Sequence, residues 1–330
     1  MSLLQELVSA YGPPGQEEAV REVVLRHLPE GYTARVDAKG NLRMQRGNAP
    51  VKRVVTAHLD EIAMVVREIS PGGNLTVGAM GGIYPWKSGE GPVAILSDNG
   101  PINGVLSFGS IHTDDPRAVA TMAKRGPLTW DMATVITGLD AEDLNRLGVR
   151  PGTRVVIHES RRNLFSLGEL TGGYFLDDRA DVAAMIAVMA AVNDPELMFI
   201  ATVSEEVGGH GALYALGELR PDICVALELG ALVPDAPAAL SPIPTVWVTD
   251  GYAATDPRDI RLLAEIEPSL QFQAFGRGGS DASCAASHGL CARPVTLGIP
   301  MANSHGYEIM HRDAVEHLAI LTEKYLAAVR

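Results

Sequence analysis

Leu197-Met198-Phe199-Ile200-Ala201-Thr202-Val203 runs directly into Ser204-Glu205-Glu206-Val207-Gly208-Gly209. An apolar run that gives way to glycines reads as a buried strand. Two adjacent carboxylates at its end would repel each other and resist desolvation. A bound cation removes that conflict: one glutamate ligates it while its neighbour, pointing elsewhere, serves as a base. An isolated Glu-Glu pair on a surface would need no such account. The reading therefore carries a requirement, that histidine and aspartate stand at other strand ends.

They do. The apolar run Val51–Ala57 ends at His58-Leu59-Asp60-Glu61, and Ile223–Leu227 ends at Glu228. Asp177-Asp178-Arg179 precedes an alanine-rich helix over Asp177–Val192, and His305 follows Leu297-Gly298-Ile299-Pro300 across a short loop. Strand and helix patterns alternate after residue 165: strands at Leu197–Val203, Asp222–Leu227, Thr245–Val248 and Ala292–Leu297, with helices near His210–Leu216, 257–266, 280–287 and 312–329. Such alternation predicts an α/β fold, a mostly parallel sheet covered by helices on both faces. Sheets of this kind place their chemistry just past the carboxyl ends of the strands. Ahead of it, residues 2–11 and 15–28 read as helices broken by Gly12-Pro13-Pro14-Gly15, and Thr33–Gln45 as two short strands. Between 67 and 164 glycine and proline become dense and short β-rich pieces appear, such as Val93–Leu96 and Gly104–Ser107. The expected organisation is a main domain of residues 1–66 and 165–330 carrying an inserted small β-barrel-like domain, 67–164.

Composition narrows the function classes. The 330 residues are 46% hydrophobic, enough for a large core, and the formal net charge is −13. That charge argues against nucleic acid or an anionic membrane surface as partner. No window approaches the roughly 18 apolar residues of a membrane span, and the N-terminus has no signal-peptide pattern. The three cysteines, Cys224, Cys284 and Cys291, form no C-x-x-C pair, so the expected compartment is a reducing cytoplasm.

Taken singly, each acidic or histidine residue has an ordinary explanation: Asp177 or Asp178 as a helix N-cap, Glu228 as a strand-end charge, His58 as a hydrogen-bonded structural residue. Three carboxylates and two imidazoles on one sheet edge are poorly explained by capping. Mixed oxygen and imidazole donors suit zinc, cobalt or manganese. Five ligands exceed what one catalytic zinc takes, whereas two ions bridged by one carboxylate use the set well, with a hydroxide between them as nucleophile.

At this point the chain resembles the dinuclear zinc aminopeptidases of the tetrahedral, or glutamyl and deblocking, aminopeptidase family. The resemblance is carried, in order, by His58-x-Asp60-Glu61, Asp177-Asp178-Arg179, Glu205-Glu206-Val207-Gly208, a carboxylate at 228, Gly279-Ser280-Asp281 and Ile299-Pro300…His305. The opening Ser9–Glu17 and Leu147–Gly152 share it. It implies that His58 and Glu228 bind one metal, Glu206 and His305 the other, and that Asp177 bridges the two. The ions would be zinc, with cobalt as the alternative. Asp60 would hydrogen-bond the second nitrogen of His58, and Glu205 would be the general base and acid. The family generally carries aspartate where this chain has Glu228. It also implies short peptide substrates and self-association, from a dimer up to a dodecamer, through the insert.

Other readings keep part of this. A carboxypeptidase, deacylase or other amidohydrolase would use the same metals on another substrate. A catalytically dead assembly or binding homologue would keep only the fold. Glycosidases need two carboxylates flanking the sugar and no metal pair. His210, His288 and His311 read as helix or loop residues, and the sequence offers no partner for His112, inside the insert.

Overall fold

The computed structural model describes residues 2–330, which divide into two compact units, residues up to 61 with 164–330, and Ile62–Asn163. The division falls at 61/62 rather than 66/67, because the strand Ala63–Ile69 belongs to the second unit.

In the first unit, four apolar runs form the centre of an 11-stranded sheet in the order Leu197–Thr202, Arg53–His58, Ile223–Ala231 and Arg293–Ala302, all parallel. Antiparallel strands flank them: Leu42–Gln45 and Thr33–Val36 on one side, Tyr307–His311, Leu170–Tyr174 and Phe165–Leu167 on the other. Thr245–Thr249 joins antiparallel to Arg293–Ala302 and parallel to Gln271–Ala274. The sheet is thus parallel at its centre and mixed as a whole.

The central strands are buried on both faces, so their near-continuous apolar runs still sort by alternation. Val55, Ala57, Phe199, Ala201, Val225 and Leu227 join a core with residues of the helices Leu3–Ser9, Glu18–Arg26, Leu176–Ala191 and Ala314–Ala328. Val54, Met198, Ile200, Cys224 and Ala226 meet the helices His210–Leu219 and Asp281–Ser287 on the opposite face. Register then aligns the chemistry: Thr202 pairs with His58, and Ala226 with Thr56, which brings Glu228 level with His58.

Glu228 does not end its strand, as the sequence suggests; pairing continues through Ala231 opposite Met301. Gly230 permits this. A Cβ there would lie 2.4 Å from Thr245 Oγ1 and 2.8 Å from Gln273 Oε1, so only a glycine lets Thr245 cross so closely.

The second unit is a closed antiparallel barrel of six strands, in the order Ala63–Ile69, Leu75–Met80, Thr134–Ile136, Gly100–Ser107, Gly91–Ser97 and Arg154–Ile157. Closure removes free edges. No helix among the described residues is long and apolar enough to cross a membrane.

Candidate metal centre

Apart from Glu228, which lies within the strand Ile223–Ala231, the candidate ligands sit where regular elements start or stop. His58 is the last residue of its strand. Its main-chain N–H donates to Asp178 Oδ2 at 2.6 Å, and its Nε2 lies 3.3 Å from Asp177 Oδ1. Phe175, in the left-handed region at φ 62°, turns the chain out of the strand Leu170–Tyr174 into the long helix, and Asp177 and Asp178 follow, joined by a cis peptide bond. Ser204, also left-handed at φ 57°, ends the run Leu197–Thr202 and turns Glu205 and Glu206 outward. The main-chain oxygen of Glu205 accepts from Gly208 and Gly209, which folds this loop back onto the next helix. Gly209 has φ 64°, and a Cβ on it would stand 2.8 Å from Cys284 Sγ, so glycine is required twice over.

Two donor groups result. His58, Asp177, Asp178 and Glu228 present atoms within 4.8 Å of one another, and so do Asp177, Glu206 and His305. Asp177 belongs to both: its Oδ2 is 3.5 Å from His305 Nε2, which is 3.7 Å from Glu206 Oε2. All five expected ligands therefore converge, with Asp178 added to the first group. Glu205 lies outside both groups, half-buried beside them.

Electrostatics favour a cation here. Asp178 Oδ1 is buried without a hydrogen-bond donor, and Asp177 Oδ1 faces only His58 Nε2, at 3.3 Å. Burial pushes the Glu206 carboxyl up to about 7, and burial with the Asp177 charge raises Glu228 well above the ordinary carboxylate range. Burial also raises Glu205. For His58 burial works downward, but Asp178, Asp177 and Asp60 outweigh it and raise the imidazole well above its usual value. Asp177 is lowered: burial opposes ionisation, yet hydrogen bonds to both imidazoles win. Carboxylates short of donors, interleaved with two imidazoles, match the oxygen and nitrogen donor set of a divalent cation.

One contact differs from the sequence reading. His58 Nδ1 faces the main-chain oxygen of Asp60 at 3.1 Å, and the Asp60 carboxylate stands off at 3.6 Å. That carboxylate instead accepts the N–H of Glu205 on Oδ1 (2.8 Å) and of Glu206 on Oδ2 (3.0 Å). The imidazole is fixed by the main chain, and Asp60 fixes the glutamate loop. Arg179 reaches Glu61 at 2.6 Å with both side chains fully buried. Sequence reading also missed Glu308, whose carboxylate accepts the N–H of Asp177 (3.0 Å) and of His305 (2.9 Å). Its only signal is a glutamate three residues after His305, within a mixed-polarity run. His112, His210, His288 and His311 lie outside both donor groups.

Comparison with known proteins accords with this geometry. The chain is 29% identical to FrvX of Escherichia coli (strain K12) over 72% of its own length and 66% of that protein's. It is 28% identical to the lysyl aminopeptidase of Pyrococcus furiosus, covering 69% of this chain and 65% of that one. The match thus spans less than two thirds of the length of these curated relatives. Among solved structures, the TET1 peptidase of Pyrococcus horikoshii superposes with a TM-score of 0.86 at 25% identity, over 98% of this chain and 97% of that one. An aminopeptidase from the archaeon Desulfurococcus kamchatkensis shares the fold, with a TM-score of 0.86 at 22% identity over 98% and 93%. The model of the M42 glutamyl aminopeptidase family matches residues 40–321, and the chain belongs to that family.

Proposed function

We propose that this chain is a metal-dependent aminopeptidase that removes N-terminal residues from short peptides. The observation that carries the reading is the pair of donor groups sharing Asp177, with Glu205 beside them. His58, Asp177 and Glu228 would hold one ion, and Asp177, Glu206 and His305 the other; zinc suits the set, with cobalt as the alternative. Ions bound there would polarise the scissile carbonyl and acidify a water molecule.

Glu205 then takes the proton of the attacking water and passes it to the leaving amine. Burial raises its carboxyl, which favours holding the proton it takes until it is passed on. Asp60 holds Glu205 and Glu206 by their main-chain N–H groups, so base and ligand keep a fixed relation. The wealth of carboxylates favours a protonated α-amine. Arg179, the arginine closest in sequence to the ligands, is buried against Glu61, which speaks against its use in holding a substrate carboxylate. The three free cysteines are buried, in keeping with a reducing cytoplasm.

The TET1 peptidase of Pyrococcus horikoshii is described as assembling into a tetrahedron or a large octahedral shell. On this chain we assign self-association and control of substrate access to the barrel, which exposes Tyr84, Trp86 and Ile111. Light scattering at micromolar protein should give a mass above one chain; a stable monomer refutes the assembly while leaving the chemistry intact.

The deciding experiment compares free and N-acetylated peptides in the presence of Zn²⁺ or Co²⁺. Release of N-terminal residues from the free peptides alone is expected. Equal cleavage of both, or release of C-terminal residues, overturns the proposal.

A further inference from the structure

His305 is the most exposed of the two-ion ligands, with 32% of its side chain accessible against 7% for Glu206, 5% for Asp177 and 3% for His58. It also stands on a turn, at φ 60°, between the strands Arg293–Ala302 and Tyr307–His311. Asp177 stands on irregular backbone after Phe175. Neither ligand is held by the regular strand pairing that fixes Glu228. What relates them is Glu308. It lies in the strand Tyr307–His311, opposite Gly173 of the neighbouring strand, and is 2% exposed. One of its oxygens accepts the Asp177 N–H and the other the His305 N–H, so one planar carboxylate spans both main chains.

We propose that Glu308 is a positioning residue that sets the spacing of Asp177 and His305, and thereby the affinity of the Asp177–Glu206–His305 group for its cation. The inference rests on the two-ion reading above. The first group keeps His58 and Glu228, both on strands, so its ion depends less on Glu308. Reach matters as well as charge. Glutamine has one acceptor oxygen and would turn its amide N–H₂ toward one of the two donors. Aspartate keeps the charge but is one methylene shorter and cannot serve both.

The test uses the purified full-length chain, stripped of metal and titrated with Zn²⁺ against a chromogenic chelator. Wild type, Glu308→Gln and Glu308→Asp are compared, with circular dichroism to verify folding. Loss of a partner that orients ligands typically costs about 10–100-fold in metal affinity. Both variants should bind one Zn²⁺ as wild type does and the other about 10–100-fold more weakly. Unchanged affinity at both sites in a folded Glu308→Gln, or full recovery in Glu308→Asp, overturns the positioning role. Equal weakening at both sites also overturns it, since that is a charge effect. Fewer than two Zn²⁺ in wild type defeats the two-ion reading, and this inference with it.

Discussion

Asp60→Asn isolates the role the structure gives to that carboxylate. The change preserves shape and leaves one acceptor oxygen where two now receive the N–H groups of Glu205 and Glu206, at 2.8 and 3.0 Å. Whichever way the amide turns, one of these donors meets N–H₂ instead of oxygen. A hydrogen bond to a charged group is worth about 1.5–3 kcal/mol, and leaving a buried donor unmet costs a similar amount. Since each 1.4 kcal/mol is a factor of ten, the population holding the loop in place should fall about 10–100-fold. A misplacement of 1 Å near the chemistry is enough to cost about 100-fold in rate. Hydrolysis of an aminoacyl p-nitroanilide panel at saturating Zn²⁺ should therefore show kcat about 10–100-fold lower. KM should change less, because the substrate's own contacts are not removed. A variant within twofold of wild-type kcat, with both ions bound, would refute the claim that Asp60 acts by holding the glutamates.

Three further outcomes are expected. Glu205→Gln should keep both metal ions, measured by elemental analysis, and lose about 100-fold or more in turnover; near wild-type turnover ends its role as base. Burial lifts Glu206 to about 7 and Glu308 to about 8 in the metal-free chain, so the folded state holds protons that the unfolded chain gives up above about 4.5. The metal-free protein should accordingly lose stability as pH rises from 5 to 8, while the rise in melting temperature on adding Zn²⁺ grows, because deprotonated ligands bind more tightly; scanning fluorimetry across that range checks both signs, and a metal-free melting temperature that climbs with pH contradicts the burial argument. Gly230→Ala, whose methyl would press on Thr245 Oγ1, should destabilise by about 1–3 kcal/mol in chemical denaturation; a neutral effect would show that the strand crossing has slack.

Much of the centre was legible because its residues stand where apolar runs stop. His58, Glu205 and Glu206 are announced by strands too hydrophobic to continue into charge, and the order of the runs gives the parallel sheet. What sequence could not show is pairing at a distance. Arg179 meets Glu61, 118 residues away, since a helix start buried against another loop offers a partner that adjacency does not reveal. The Ile223–Ala231 strand outruns its apolar stretch because Leu229, Gly230 and Ala231 gain their conformation from Ile299, Pro300 and Met301 alongside. Glu308 stayed hidden for the same reason: its strand has no periodic signal, and its purpose is visible only once Asp177 lies beside it. The sequence reading put the boundary at 66/67 instead of 61/62 because Ala63–Ile69 reads equally well as a strand of either unit until its barrel partners are known.

The wide scatter of the ligands along the chain has a consequence during synthesis. His58 precedes the whole barrel and His305 lies near the last helix, so no shorter nascent fragment carries both donor groups. At about 5–20 residues per second, translation leaves His58 without its distant partners for on the order of ten to fifty seconds. Through that interval a ribosome-bound chain cannot bring both donor groups together, so the complete centre can form only once nearly the whole chain has been made.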